Sequence, residues 1–240
     1  MSGMTSRAIV TTSIILEGVR RLFISVSGIA VHRENSPSWA NLEQANVALA
    51  VAQALYGYRT SSGERIESRD IMFLSPYKDQ VRLVRGLASD AGIEYFENLT
   101  VDAAQGQEAP TVIYMLTKPS DLSGHNIGFL EDKRRMNVAL SRAKQVLIVI
   151  GNLEVWTEEQ RKWIHRRTNA KVLSKLLDDV VTRRNVLTWA GGQTIMEAAK
   201  LPNCRYISHV NTTKLKNCRP MLKGISLLQR STNSAQWLVI

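Results

Sequence analysis

The sequence predicts an α/β protein in which helices cover both faces of a parallel sheet. Apolar runs without polar alternation, as at 71–74, 111–116 and 146–150, indicate strands that are buried on both sides. Segments with an apolar stripe at helical spacing separate these runs, and strands that alternate with helices of this length favour parallel pairing. The 240 residues, 44% of them hydrophobic, suffice for one sizeable core and a small appendage.

The first half of the chain predicts two strand–helix units. A β-branched and aromatic run closed by Ser27 and Gly28 is typical of a buried strand with its turn. Asn41 is a helix start followed by apolar residues on one side. The predicted elements are, in order, a strand over 22–26, a helix from Asn41 to about Tyr56, a strand over 71–74 and a helix over 78–89.

The second half continues the alternation and then changes character. Its predicted elements are an extended stretch over 94–101, a strand over 111–116, a helix from an Asp132 N-cap through Lys144, a strand over 146–150, and helices over 158–165 and 170–184. We therefore expect three parts: a sheet domain over 1–153, a helical extension packed on it over 154–185, and a basic, weakly ordered tail over 186–240.

The positive charge lies in the C-terminal part of the chain. Of the formal net charge of +10, residues 151–240 supply nearly all, with 15 Lys and Arg against 6 Asp and Glu. Such a segment favours nucleic acid as a partner, with an anionic membrane surface second and a merely soluble basic surface as the alternative.

Targeting and metal signals are weak. The apolar stretch over 8–16 is too short to cross a bilayer, so no membrane role is expected. The two cysteines, Cys204 and Cys218, form no zinc pattern or disulfide framework, and no metal ligands are predicted. Cytoplasm or nucleus is the expected location.

The helix predicted over 132–144 carries the strongest cluster of charge. Three arginines project from one side of it: Arg134, Arg135 and Arg142. Guanidinium groups that lie together repel one another unless an anion sits among them, so a phosphate is a natural ligand. The alternative is a solvated basic face paired with Glu131 and Asp132.

The stretch Val101 to Glu108 supplies a polar loop. Gly106 permits close approach of a ligand to the backbone, Gln105 offers a donor and an acceptor, and Glu108 can accept from a ribose hydroxyl or an arginine. Asp102 can cap the amides of the loop. An ordinary connection between strands explains the same residues.

A third stretch, Ser75-Pro76-Tyr77 followed by Gln80, comes directly after a buried strand. Its hydroxyl, phenol and amide suit contacts to a sugar-phosphate chain or a base, although a turn that merely starts a helix has the same composition. Since ligands of parallel sheets bind at the carboxyl ends of the strands, all three stretches are predicted at that one edge.

The order and spacing of the three stretches resemble the second RecA-like domain of superfamily 1 helicases of the nonsense-mediated-decay and senataxin type. The resemblance runs from about Ile9 to Asn152. Residues 75–80 (Ser-Pro-Tyr-Lys-Asp-Gln) resemble motif IV, residues 101–108 resemble motif V, and 127–130 followed by 134–144 resemble motif VI with its lead-in. The implied fold is that of the P-loop NTPase superfamily, without the P-loop.

The resemblance also implies roles for individual residues. Arg142 would be the arginine finger at the γ-phosphate of ATP. The implied nucleotide-binding residues are Gln105, Gly106, Glu108 and Arg135. The implied contacts to single-stranded RNA or DNA are Ser75, Pro76, Tyr77, Gln80 and Thr100.

Some of the family's features are absent from these 240 residues. The stretch Gln-Tyr-Arg-Met-His-Pro is not reproduced at Met1 to Arg7, and the step Asn41-Leu42-Glu43 is one residue shorter than the usual pattern. The phosphate-binding motif G-x-x-x-x-G-K-[ST] occurs nowhere. ATP with Mg²⁺ would therefore bind only if a partner chain supplies the first RecA-like domain, and stable binding by this chain alone is not expected.

The sequence thus predicts the C-terminal motor half of an ATP-dependent RNA or DNA helicase that does not hydrolyse ATP alone. The alternatives are a non-catalytic nucleic-acid-binding or regulatory module and a degenerate helicase fragment.

Overall fold

The computed structural model describes residues 20–32, 36–60, 63–93, 96–118, 127–183, 185–190 and 226–227. The stretch Met1 to Arg7, both cysteines and the predicted tail over 191–225 and 228–240 lie outside these residues. The strands are β1 (Arg21–Val26), β2 (Ala30–His32), β3 (Trp39–Asn41), β4 (Ile71–Ser75), β5 (Glu97–Thr100), β6 (Ala109–Met115), β7 (Ala143–Gly151), β8 (Val186–Ala190) and β9 (Ser226–Leu227). The α-helices are α1 (Leu42–Leu55), α2 (Lys78–Asp90), α3 (Lys133–Leu140), α4 (Glu158–His165) and α5 (Lys171–Arg183).

One sheet organises the described part of the chain, with strand order β5-β4-β6-β7-β1-β8-β9. Its first six strands are parallel, and β9 joins antiparallel to β8. Every connection between the parallel strands must therefore return from the carboxyl edge of the sheet to the amino edge. A separate antiparallel hairpin pairs β2 with β3.

Helices cover both faces of the sheet, which confirms the predicted fold class. The core on one face includes Ala45 and Ala52 of α1 and Val84 of α2. The core on the other face takes in side chains from the three remaining helices: Met136, Ile164, Leu173, Leu176 and Leu177. In the last helix Leu173, Leu176, Leu177 and Val180 are buried, whereas Val181 is exposed.

Local capping explains where two of the helices begin. The Asn41 side chain accepts a hydrogen bond from Gln44 N (3.0 Å), as predicted for the start of α1. The Asp132 side chain accepts from the backbone N–H groups of Arg134 and Arg135 at the start of α3. Both caps satisfy donors that the first helical turn leaves without partners.

The predicted end of α3 is wrong. The helix stops at Leu140 instead of continuing through Lys144, and Ala143 already pairs with Ala109 as the first residue of β7. Arg142 therefore lies beyond the helix, and the prediction that it shares one helical side with Arg134 and Arg135 is also wrong.

The sheet extends past residue 186, where the tail was predicted to start. Residues 186–190 form β8, which pairs with β1 in a register that sets Phe23 opposite Val186 and Val26 opposite Trp189. Trp189 is buried in the core beneath it. No helix among the described residues is long and apolar enough to span a membrane.

Candidate functional site

Arg142 lies at the amino edge of the sheet, immediately before β7. Its backbone carbonyl accepts a hydrogen bond from Ala109 N at the start of β6 (3.1 Å). The guanidinium donates to three neutral oxygens: Val138 O through Nε (3.1 Å), Gln107 O through Nη1 (3.1 Å) and Ser141 Oγ through Nη2 (2.9 Å). Among the described residues no carboxylate pairs with it, so its positive charge is held in place without being neutralised.

The loop over 101–108 meets Arg142 at the same edge. Val101 and Ala104 are buried against the sheet, while residues 105–108 are exposed as the loop approaches β6. Gly106 has φ +84°, a conformation that favours glycine. Glu108 Oε2 lies 3.8 Å from Lys144 Nζ, an exposed pair that stays accessible to solvent. The structure thus brings together Arg142 and the predicted Gln105, Gly106 and Glu108.

The prediction that all three motif stretches share the carboxyl edge is wrong. The loop over 101–108 leaves β5 at the carboxyl edge and enters β6 at the amino edge. The connection through α3 likewise leaves β6 at the carboxyl edge and enters β7 at the amino edge. The start of each connection therefore lies at one edge and its end at the other. Arg142 and Glu108 face the amino edge, whereas Ser75, Pro76 and Thr100 lie at the carboxyl edge.

Arg135 does not join the group around Arg142. It lies at the first turn of α3, where Nε and Nη2 donate to the two carboxylate oxygens of Asp102 (2.9 and 3.0 Å). Its guanidinium carbon also lies 4.4 Å from the centre of the Phe129 ring. Arg135 is engaged with Asp102, two residues after β5, and ties motif VI to motif V at the carboxyl edge; its contact with a nucleotide stays a prediction.

The acidic residues weighed as partners of the basic helix divide between two sites. Asp132 lies 4.0 Å from Arg135, as the alternative interpretation expected. Glu131 instead binds the guanidinium of Arg167, which also lies over the Trp163 ring. This contact joins the lead-in of motif VI to the turn between α4 and α5.

The polar side chains of motif IV are buried. Ser75 and Gln80 are 0% exposed and Tyr77 is 2% exposed. Ser75 Oγ lies 3.0 Å from Thr117 Oγ1, and the Tyr77 ring packs on Phe129 with its hydroxyl oxygen 3.4 Å from Phe129 N. Burial raises the pKa of the Tyr77 phenol, so it stays neutral and able to accept from that amide.

This burial corrects the expectation that Ser75, Tyr77 and Gln80 contact a nucleic-acid strand directly. Their hydrogen-bonding groups face the interior and hold neighbouring segments in place. Pro76 and Thr100 are half-buried and remain accessible at the carboxyl edge. Thr100 Oγ1 also accepts from Ala103 N (3.2 Å), which orders the first turn of the motif V loop.

A buried polar cluster behind this edge was not predicted from the sequence as a unit. It joins five side chains from four segments: Asn41, Gln44, Ser75, Gln80 and Thr117. Gln80 Oε1 accepts from Asn41 N (2.6 Å) and Gln80 Nε2 donates to Asn41 O (3.1 Å). In the same pattern, Gln44 Oε1 accepts from Thr117 N (2.8 Å) and Gln44 Nε2 donates to Thr117 O (3.3 Å). The two side-chain amides thus supply hydrogen-bond partners to the buried backbone groups of Asn41, at the end of β3, and of Thr117, in the turn after β6.

The described residues contain no cluster of three or more His, Cys, Asp or Glu side chains placed to hold a metal ion.

Comparisons with known proteins agree with the fold and with the family resemblance. The profile of the family described as "AAA domain" matches residues 5–154. An uncharacterised ATP-dependent helicase of Methanocaldococcus jannaschii is 36% identical over 130 residues, 54% of this chain and 17% of the relative. The DNA polymerase alpha-associated DNA helicase A of Schizosaccharomyces pombe is 42% identical over 96 residues, 39% of this chain and 14% of the relative.

A third relative represents the type of helicase named above. The regulator of nonsense transcripts 1 homologue of Neurospora crassa is 28% identical over 159 residues, 60% of this chain and 14% of the relative. The chain thus spans less than a fifth of the length of each of these relatives. It belongs to the AAA-domain family, and these relatives confirm its resemblance to the second RecA-like domain of superfamily 1 helicases of the nonsense-mediated-decay and senataxin type.

Proposed function

We propose that this chain forms the C-terminal motor half of an ATP-dependent helicase, with Arg142 as the group that meets the γ-phosphate. The observation that carries the proposal is the arrangement at the amino edge. There the Arg142 guanidinium bonds only neutral oxygens among the described residues, and one of them is the carbonyl of Gln107, the residue directly before Glu108. A charge held by fixed dipoles stabilises negative charge on a transferring phosphoryl group without further reorganisation.

The remaining residues of this edge complete a surface that suits a nucleotide. Glu108 can accept from ribose hydroxyls, and its exposed pairing with Lys144 costs little to open. Gly106 permits the sugar to approach the backbone, and Gln105 offers an amide beside it. None of these groups grips the β- and γ-phosphates, so binding depends on a facing domain.

The facing domain would carry the P-loop, either on the same polypeptide or on another. Its motif G-x-x-x-x-G-K-[ST], which is absent from these 240 residues, holds the phosphates and the Mg²⁺ ion in P-loop enzymes. The carboxyl edge, with Pro76 and Thr100, would face the single strand of RNA or DNA. An ATP-dependent helicase activity would therefore belong to an assembly of this chain with a P-loop domain and not to this chain alone.

The decisive experiment measures nucleic-acid-stimulated ATPase activity of an assembly that contains this chain and a P-loop domain. Replacing Arg142 with alanine should lower kcat by about 10³–10⁵-fold, because the transition-state charge loses its partner. Arg134→Ala, at the far end of α3 and exposed, is the matched control and should change kcat less than twofold.

Two results would contradict the proposal. One is an Arg142→Ala assembly that keeps full turnover while the protein stays folded by circular dichroism. The other is robust ATP hydrolysis by the purified 240-residue chain with no added protein, since the phosphate-binding motif is missing from it.

A second candidate function, a non-catalytic nucleic-acid-binding module, is favoured by the charge of residues 151–240. Residues 191–240 alone carry 7 Lys and Arg against 1 Glu. If this segment is the attachment site, a chain that ends at Ala190 should lose most of its affinity for single strands and most of its salt dependence. Unchanged binding would leave the edges of the sheet as the attachment site. A folded chain that binds no nucleic acid and supports no ATP hydrolysis together with a P-loop domain would be a degenerate fragment.

A further inference from the structure

Trp39 and Lys118 meet at the carboxyl edge of the sheet. Lys118 Nζ lies 3.7 Å from the centre of the Trp39 ring. His32, the register partner of Trp39 in the β2–β3 hairpin, lies 4.5 Å away between ring centres at an interplanar angle of 58°. Both Trp39 and Lys118 are half-buried, so each keeps surface that a ligand can reach.

The backbone on both sides of this pair is held by buried amides. Trp39 lies two residues before Asn41, whose N–H and C=O are both bonded by Gln80. Lys118 directly follows Thr117, whose N–H and C=O are both bonded by Gln44. The two clamps fix the spacing between the β3 and β6 segments, and therefore hold the backbone of Lys118 within side-chain reach of the indole.

Thr117 adopts a backbone conformation that L side chains rarely take. Its φ is +63°, and among the described residues it is the only one other than glycine with a positive φ. Such a β-branched residue persists there only when its surroundings determine it, and these conformations concentrate at functional sites. The turn at Thr117 aims Lys118 back toward Trp39 instead of letting the chain continue from β6.

The pair lies at the same carboxyl edge as the accessible Pro76 and Thr100, next to the buried Thr117. The strand order β5-β4-β6 sets Thr100, Pro76 and Thr117 at the ends of three neighbouring strands, about 5 Å apart from strand to strand. The hydroxyls of Ser75 and Thr117 lie 3.0 Å apart and join the last two segments. Lys118 and Trp39 therefore lie at the edge proposed above to face a single strand.

We propose that Trp39 and Lys118 form a contact site for single-stranded nucleic acid, an inference that rests on the proposed function. The ammonium group would leave the indole for a phosphate, and a base would stack on the ring face that it uncovers. A nucleic acid is the polyanion that offers a flat ring beside every charge, and the site presents one partner for each. An acidic peptide supplies the charges without the rings.

The apolar surface of the same hairpin does not extend this site. Val31 pairs with Ala40, while His32 pairs with Trp39, so Val31 and Trp39 point to opposite faces of the two strands. The exposed Ile29 and Val31 therefore lie away from the indole, which leaves a cation and a ring as the chemistry of the pair.

The test titrates dye-labelled oligo-U and oligo-dT with the full chain and its variants and follows fluorescence anisotropy at several salt concentrations. Trp39→Ala should weaken binding about tenfold, while Trp39→Phe, which keeps a ring, should recover most of the affinity. Lys118→Ala should reduce the slope of log K against log salt by about 0.7, the value for one phosphate contact to a single strand.

Arg65→Ala provides the matched control. Arg65 is an exposed cation that lies over the Tyr56 ring, 5.8 Å from its centre. Tyr56 directly follows α1, at the end of that helix that is remote from Trp39. Removing it deletes the same kind of charge–ring contact at the opposite edge and should leave the salt slope unchanged.

The outcomes separate the two proposals. If the wild-type chain binds neither oligonucleotide, the nucleic-acid role in the proposed function fails. If the wild type binds and Lys118→Ala, Trp39→Ala and Trp39→Phe bind equally well with the same slope, the site is overturned and the proposed function stands. Competition by polyglutamate that matches the oligonucleotide would also overturn it in favour of an acidic protein partner. Should Trp39→Ala fail to fold, the salt slope of Lys118→Ala decides: a slope equal to that of the wild type overturns the site.

Discussion

At the scale of single residues, Gly128 shows how one missing side chain permits the contact between motif IV and the lead-in of motif VI. Gly128 has φ +59°, and a Cβ atom at this position would collide with the Tyr77 hydroxyl. That hydroxyl is the group that meets Phe129 N, and its ring packs 5.1 Å from Phe129 between ring centres. Glycine is therefore required here for both conformation and space.

Replacing Gly128 with alanine should destabilise the protein by about 1–3 kcal/mol, through the positive φ and the collision with Tyr77. Denaturant unfolding measures the change. Adding Tyr77→Phe, which removes the colliding oxygen, should restore part of the loss, so that the two substitutions are coupled.

Gly86→Ala is the control for this experiment. Gly86 lies in α2 with nothing within 4 Å of an added Cβ, so alanine should stabilise the helix by about 0.5–1 kcal/mol. Equal effects of the two glycine substitutions would show that the contact with Tyr77 is unimportant.

The buried amide of Gln80, which bonds the Asn41 backbone, can be tested by substitution. Gln80→Leu keeps a similar volume but leaves Asn41 N without its partner in a buried position, which should cost about 1–3 kcal/mol. Thermal or denaturant unfolding measures it. Gln145→Leu, at an exposed position in β7, should stay within about 0.5 kcal/mol of the wild type, and a similar loss in both would contradict the role of the clamp.

At the scale of elements, the sequence predicts the buried parallel strands well and the short or irregular ones poorly. Strands β4, β6 and β7 are apolar on both faces, so their cores could be located to within a few residues. The hairpin of β2 and β3 was not predicted, because three-residue strands carry too few residues for any periodicity. The end of α3 was missed because Ala143 and Lys144 suit a helix locally, and only the pairing of Ala143 with Ala109 turns them into strand.

The candidate site divides in two because of the path of the chain between the parallel strands. The motif residues could be predicted from their order, but their assignment to one edge ignored the path of the chain. Arg142 directly precedes β7 and Glu108 directly precedes β6, so both must lie where parallel strands begin. Burial of Ser75, Tyr77 and Gln80 depends on packing against Phe129, Asn41 and Thr117, which are distant in sequence.

The ion pair between Arg135 and Asp102 gives a prediction for the element it anchors. Arg135→Lys keeps the charge but loses the two-point contact with the carboxylate, and should loosen the loop over 101–108 relative to α3. Hydrogen exchange at the amides of residues 103–107 should become faster. Because the pair is largely exposed, overall stability should fall by no more than about 1 kcal/mol.

A matched variant separates this effect from a general loss of charge. Arg82→Lys alters the pair with Asp79 on α2, away from the loop. It should leave the exchange of residues 103–107 unchanged, and faster exchange in both variants would argue against a local anchor.

At the scale of the whole molecule, the sheet depends on a strand beyond the family match. The match ends at residue 154, yet β8 lies beside β1 and contributes Trp189 to the core. Helices α4 and α5 connect β7 to β8 and cover the second face of the sheet. The basic composition after residue 151 concealed this strand, because charge counts carry no information on pairing.

Truncation tests this dependence directly. A chain that ends at Asn185 should have a lower unfolding free energy than one that ends at Ala190, by about 3–5 kcal/mol, the typical cost of losing a large buried aromatic side chain. The Trp189→Ala variant of the full chain should lose a similar amount. If the two truncated chains unfold at the same denaturant concentration, β8 contributes little to the stability of the domain.

The separation of the two edges has a pharmacological consequence. A compound that occupies the surface around Arg142 and Glu108 would leave Pro76, Thr100 and Trp39 sterically open, because the full length of the strands lies between them. Under the proposed function, such a compound would inhibit the assembly noncompetitively with respect to the nucleic acid and competitively with respect to the nucleotide. A compound wedged beside Trp39 would show the reverse pattern.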